Sequence, residues 1–185
     1  NLYLYKDEGE MLTAFLDIIQ DADVISGWNS EGYDIPYVVN RIQKILSKDD
    51  TRKLCLWKQL PKKRVFERFG REQETYDLVG RVHLDSLELY RKYTYEERHS
   101  YRLDAIGEHE LGEKKTVYEG SLDQLYNQDF RTFVEYNRQD VNLIDKLDRK
   151  LKFIALTNEL AHANTVLLQT TCLLYTSPSP RDSNL

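Results

Sequence analysis

From about Phe130 to Asn158 the chain reads as one long amphipathic helix, and any fold must offer that helix a surface to pack against. At about 100° per residue, with Phe133 at zero, Ile144 falls at about +20°, Leu147 at about −40° and Leu151 at about zero, forming one stripe. Asp140 falls at about −20°, inside that stripe. A carboxylate buried alone is strongly unfavourable unless it is paired, hydrogen-bonded or bound to a metal. Tyr136, one turn earlier, can place its hydroxyl in front of Asp140. The alternative is a rim position where the core has ended, and periodicity alone leaves the two balanced.

Upstream, Leu2–Tyr5 reads as the stub of a strand, and Glu8–Ile19 as a helix with Met11, Leu12, Phe15, Leu16 and Ile19 on one face. Asp23–Asn29 reads as a short buried strand that breaks at Gly27 and Asn29. A helix follows, with Ile35, Val38, Val39, Ile42, Ile45 and Leu46 on one side. Its start places Asp34 where an N-cap belongs and Pro36 in the first turn. A carboxylate on the turn from a strand end into a helix stands where open α/β sheets bind ligands. A cap, however, needs no catalysis, and that reading of Asp34 competes with the functional one.

Val65–Phe69 and Thr75–Val79 flank the polar Gly70–Gln73, as in a β-hairpin, and Lys62-Lys63-Arg64 precedes it as the densest basic cluster. Arg81–Leu84 reads as a strand ending at Asp85-Ser86, where a short helix can start. Ser100 is placed to cap a segment that stops at Leu111-Gly112, and Ser121–Gln124 fits a capping box. The Ser- and Pro-rich end from Leu173 has no periodicity and resembles the translation of a sequencing adapter. It is expected to be disordered and dispensable.

Composition narrows the class without naming a chemistry. With 185 residues, 41% hydrophobic and 31% charged, the chain is long enough for one packed domain and unlike a disordered one. It has no apolar run of about 18 residues and no signal-peptide pattern. Cys55 and Cys172 are too few for a disulfide framework or a cysteine zinc site. The net charge of −5 argues against whole-surface attraction to nucleic acid, though not against a local patch. His83, His99, His109 and His162 show no ligand spacing and receive no role.

Asn29-Ser30-Glu31-Gly32-Tyr33-Asp34 resembles the second exonuclease motif of family B DNA polymerases, and Tyr136-Asn137-Arg138-Gln139-Asp140 resembles the third. Leu84–Tyr90 and Ser100–Asp104 resemble the same domain, most closely in its T-even-like bacteriophage form. The resemblance covers roughly residues 2–160. Either motif alone is weak; the pair, in this order and in matching secondary structure, is specific. It implies an α/β fold of the RNase H-like DEDD type, incomplete at its N-terminus and carrying an inserted β-hairpin. It further implies a 3′–5′ proofreading exonuclease that hydrolyses the terminal phosphodiester with two Mg²⁺ or Mn²⁺ ions held by four carboxylates.

On this resemblance Asp34 and Asp140 match two of the metal-binding carboxylates and Tyr136 the residue that orients the attacking water. Glu135 stands where the histidine subclass carries His, which implies the tyrosine subclass. Asn29, Tyr33, Lys62, Lys63 and Arg64 are the expected nucleic-acid contacts, and Trp28, Trp57 and the tyrosines offer stacking surfaces or core. The hairpin resembles one that helps move a primer end between polymerase and exonuclease sites; its alternative is a solvated edge.

The first motif, Asp-x-Glu on a first strand, is absent; Asp21-Ala22-Asp23 is a poor substitute at a helix end, and the motif is expected upstream of Asn1. Polymerase palm motifs are expected downstream. The expected division is 1–160 for the partial exonuclease, 161–172 for the start of a polymerase region and 173–185 for the tail. Expected partners are a single-stranded 3′ end, primer-template DNA and a sliding clamp, with no membrane, in the cytoplasm or a viral replication complex. A catalytically inactive nucleic-acid-binding module and a stand-alone DEDD nuclease remain the alternatives.

Overall fold

The computed structural model describes residues 3–68, 71–112 and 121–173, so the hairpin tip and most of the expected tail lie outside the described residues. Residues 3–5 form no strand, unlike the expected stub. The first helix, α1 (Glu8–Ile18), starts at Asp7, whose carboxylate accepts the Glu10 amide at 2.8 Å. Just past its other end the guanidinium of buried Arg81 donates to the carbonyls of Ile19, Gln20 and Ala22, tying down the turn that leads to the next strand.

Next come β1 (Val24–Gly27), α2 (Asp34–Ile45), a 3-10 turn (Asp49–Leu54), the hairpin strands β2 (Lys62–Arg68) and β3 (Arg71–Asp77), and β4 (Val82–Asp85). β4 returns parallel to β1, with Val24 opposite Val82 and Gly27 opposite Asp85. β2 and β3 pair antiparallel from Lys62–Asp77 to Arg68–Arg71. The hairpin therefore lies earlier and is tighter than its apolar runs suggest. Its basic residues find acidic partners across the ladder, Lys63 with Glu74 at 2.6 Å and Arg64 with Asp77 at 3.0 Å. Leu78, expected in the second strand, leaves it to enter the core.

Helices complete the chain: α3 (Ser86–Tyr93), α4 (Leu103–Leu111), α5 (Leu122–Gln128), α6 (Phe130–Leu151), α7 (Phe153–Asn164) and α8 (Leu168–Leu173). The Ser121–Gln124 capping box forms with both reciprocal bonds. Ser100 does not cap α4: the helix begins three residues later, after Arg102, which makes no side-chain cap. The long helix is two helices. Lys152 takes a left-handed conformation, φ 55°, and the Asp148 carboxylate accepts the Ile154 amide at 3.2 Å. That turn brings Phe153 against Tyr93 and Tyr90, with ring centroids 5.6 and 6.3 Å apart. α7 runs through residue 160, and α8 packs against β4.

Two apolar cores result. One joins Leu12 and Leu16 of α1, Ile35, Val39 and Ile42 of α2, and Leu54, Cys55 and Leu78. The other joins Tyr90, Ile106, Leu143 and Leu147, with Trp28 and Phe153 against them. α4 and α6 cross so closely that a Cβ on Gly107 would sit 2.7 Å from a Leu143 methyl. Trp28, one of the candidate stacking residues, is thus core, and its Nε1 donates to the Tyr101 carbonyl at 3.1 Å.

Candidate active site

The turn from β1 into α2 is held from three sides. Gly27 allows it to fold back, since a Cβ there would meet Ser30 Cβ at 2.8 Å. Asn29 follows with φ 59°, a conformation asparagine tolerates. From the end of β4, the buried Asp85 carboxylate accepts the amides of Asn29 at 2.9 Å, Glu31 at 3.0 Å and Leu87 at 3.0 Å. Burial pushes the Asp85 carboxyl above its ordinary value, and those amides pull it partly back. From inside, Ser30 Oγ and His83 Nε2 lie 2.8 Å apart, and burial holds His83 below its ordinary value. From the hairpin, Thr75 Oγ1 donates to the Glu31 carbonyl at 2.8 Å, and Arg64 pairs with the Glu31 carboxylate.

This framework delivers Asp34 to the start of α2 in an unexpected role. The N-cap position is Tyr33, and it makes no side-chain cap; Asp34 is the first helical residue. The Ile35 amide bonds the Ser30 carbonyl at 2.9 Å instead. The reading of Asp34 as an N-cap is therefore replaced, and its carboxylate is left for other work. Asp34 is exposed, and partial desolvation at the helix start raises its carboxyl above its ordinary value, against the lowering effects of its own amide and of His83. Such a carboxylate gains from a cation beside it.

On α6, Leu143 and Leu147 are buried, and Ile144, Leu147 and Leu151 line a small cavity with Trp28 and Tyr90. Trp28 immediately follows β1, so this stripe of α6 packs at the end of the strand that leads to Asp34. Asp140 stands one turn before Ile144 on the same stripe and is half-buried, as is Tyr136.

Among the other candidates, Asn29 sits in the clamped turn, and Tyr33 is exposed with its ring stacked on Tyr37. Lys62 is exposed, whereas Lys63 and Arg64 are engaged in the ion pairs already described. Trp57 is exposed. Ser30, Thr75, His83 and Asp85 were missed as supports. Asp85 had a local signal only as a helix start, a role it also fills. His83 offered one weak signal, a polar side chain amid the apolar residues of a strand. Among the described residues no group of three or more His, Cys, Asp or Glu could hold a metal ion. Asp34 and Asp140 are hard oxygen donors, suited in kind to Mg²⁺ or Mn²⁺ but two in number.

Residues 1–106 match the family described as DNA polymerase family B, exonuclease domain. The chain belongs to this family. It is 30% identical over 167 residues to the DNA-directed DNA polymerase of Escherichia phage RB69, a match covering 89% of this chain and 18% of that polymerase. It is 26% identical over 160 residues to the corresponding polymerase of Enterobacteria phage T4, covering 85% of this chain and 18% of the relative. The DNA polymerase delta catalytic subunit of Candida albicans is 35% identical over 129 residues, 65% of this chain and 12% of that subunit. The chain thus spans less than a fifth of the length of these curated relatives. As a family B exonuclease domain it has the mixed α/β character expected, and no helix among its described residues is long and apolar enough to cross a membrane.

Proposed function

We propose that this segment belongs to a DNA-directed DNA polymerase and forms part of its 3′–5′ proofreading exonuclease, on an RNase H-like scaffold. The observation that carries this is the placement of Asp34. It leaves the C-terminal end of a parallel strand, makes no helix cap, and lies in a turn that Asp85, His83 and the hairpin hold from three directions. The stripe of α6 bearing Asp140 packs at the end of the same strand, against Trp28, which supports convergence of the two carboxylates on one cleft. Their separation in the working site is on the order of 10 Å or less, because ions in two-metal sites lie about 3.5–4 Å apart.

In this reading Asp34 and Asp140 hold Mg²⁺ or Mn²⁺ together with an Asp-x-Glu pair from outside the sequence, and Tyr136 orients the attacking water. Bound ions supply Lewis-acid activation of that water and stabilise the leaving 3′ oxygen. Asn29 and Tyr33 contact the strand end. The hairpin, with Lys62, Lys63 and Arg64, guides primer-template DNA between sites. Residues 1–160 are the exonuclease part and 161–172 the approach to the polymerase region.

The test is made in the complete polymerase carrying this segment. Asp34→Ala and Asp140→Ala are each expected to abolish 3′–5′ hydrolysis of single-stranded DNA while leaving polymerisation largely intact, and Tyr136→Phe to slow hydrolysis. Equal loss of both activities would make the carboxylates structural. A complete polymerase without exonuclease activity would turn the assignment toward an inactive binding module.

A further inference from the structure

Tyr33 and Tyr37 stand on either side of Asp34, one turn apart at the start of α2. They are 64% and 55% exposed, and their rings are nearly parallel, 6° apart with centroids 6.0 Å from each other. A single exposed tyrosine is ordinary, but two parallel rings exposed to water offer an outer aromatic face that the core does not use. The opposite face of α2 is the buried one, carrying Ile35, Val39 and Ile42. One turn beyond Tyr37, Arg41 is held by Glu8 through Nε at 2.6 Å and a second guanidinium contact. That cation is therefore matched by an anion, and the surface suits a flat uncharged group better than a phosphate.

We propose that Tyr37, stacked on Tyr33, extends the exonuclease site into a two-ring platform for a nucleobase at the 3′ end of a single strand. This rests on the nuclease reading above. Stacking is tolerant of base identity because every base has a π-face, and a nuclease that removes any terminal nucleotide needs that tolerance. The occupant is a base, not the sugar-phosphate chain, and the helix turn fixes its platform beside Asp34.

The test uses the 185-residue chain in EDTA, so that binding is read without hydrolysis. Two short 5′-fluorescein oligothymidylates, one intact and one with an abasic 3′-terminal residue, are followed by fluorescence anisotropy. Tyr37→Ala and Tyr37→Gln are each expected to weaken binding of the intact oligonucleotide about tenfold, and Tyr37→Phe to bind like the parent. The parent chain should bind the abasic oligonucleotide about tenfold more weakly, and Tyr37→Ala should add nothing to that loss. Unchanged binding of the intact oligonucleotide by Tyr37→Ala overturns the platform, as does an equal loss on both oligonucleotides. Either result leaves the nuclease reading standing. A parent chain that binds neither oligonucleotide overturns the platform, while the nuclease reading is decided separately by the variants of the complete polymerase.

Discussion

Ser30 Oγ and His83 Nε2 meet 2.8 Å apart, with Ser30 buried, so the contact has little water to replace it. Removing one partner of such a contact leaves a ring nitrogen unsatisfied, which costs about 1–3 kcal/mol. Ser30→Ala should lower the urea midpoint accordingly with an unchanged slope; an unchanged midpoint would show that the ring finds another partner. Asp85 carries more, since its two oxygens accept three amides. In Asp85→Asn one acceptor oxygen becomes a donor facing a donor. That variant is expected to lose at least about 1 kcal/mol and Asp85→Ala more, measured by chemical unfolding. Of these partnerships only the Asp85–Leu87 helix start had a local signal in the sequence. The bonds from Asp85 to Asn29 and Glu31 span 56 and 54 residues, and no local rule reaches that far. Asp34 shows the converse: its position on a strand-to-helix turn was legible, but the capping role that its residue type suggests was not taken.

At the level of elements, periodicity located α1, α2 and the Ser121 capping box, because those signals are local. It missed the division of the long helix, because Phe153 turns inward to meet Tyr90 and Tyr93, which belong to α3. The α4–α6 crossing gives a test in which two effects oppose each other. Alanine gains about 1 kcal/mol over glycine in a helix, but a Cβ at Gly107 would press on Leu143 carbons at 2.7–3.1 Å. Overpacking of this kind costs about 1–3 kcal/mol, so Gly107→Ala is expected to destabilise, and Leu143→Ala in the same chain to recover part of the loss. The same three-helix junction carries a charge network. Glu110 of α4 accepts from Tyr90 of α3 at 2.7 Å and pairs with Lys150 of α6 at 3.2 Å. Burial would raise the Glu110 carboxyl, but the Tyr90 and Lys150 contacts outweigh it and hold it below its ordinary value of 4.5. A carboxyl lowered in the folded state adds stability above its unfolded pKa and loses it as pH falls through the folded one. Glu110→Gln should therefore be less stable than the parent at neutral pH, with the gap closing in acid; a constant gap would mean that only packing was lost.

For the whole molecule, the apolar faces that build both cores are patterns a single sequence displays, whereas the parallel β1–β4 pairing and the completeness of the site are not. The sequence contains no Asp-x-Glu, and among the described residues no third acidic or histidine ligand joins the two carboxylates assigned here to metal. Two carboxylates supply two negative charges against the four positive charges of a pair of divalent ions, and hard cations need further oxygen donors to replace their water. The 185-residue chain as it stands is therefore expected to degrade no single-stranded oligonucleotide in Mg²⁺ beyond a metal-free control. Its thermal midpoint gives an independent measure. A ligand bound only by the folded state stabilises it by RT ln(1 + [L]/Kd), about 2.7 kcal/mol at a hundredfold excess over Kd, so millimolar Mg²⁺ should leave the midpoint unmoved. Mg²⁺-dependent degradation by the purified chain, lost in Asp140→Ala and accompanied by a rise in midpoint, would show that these residues form a working metal site without the Asp-x-Glu strand.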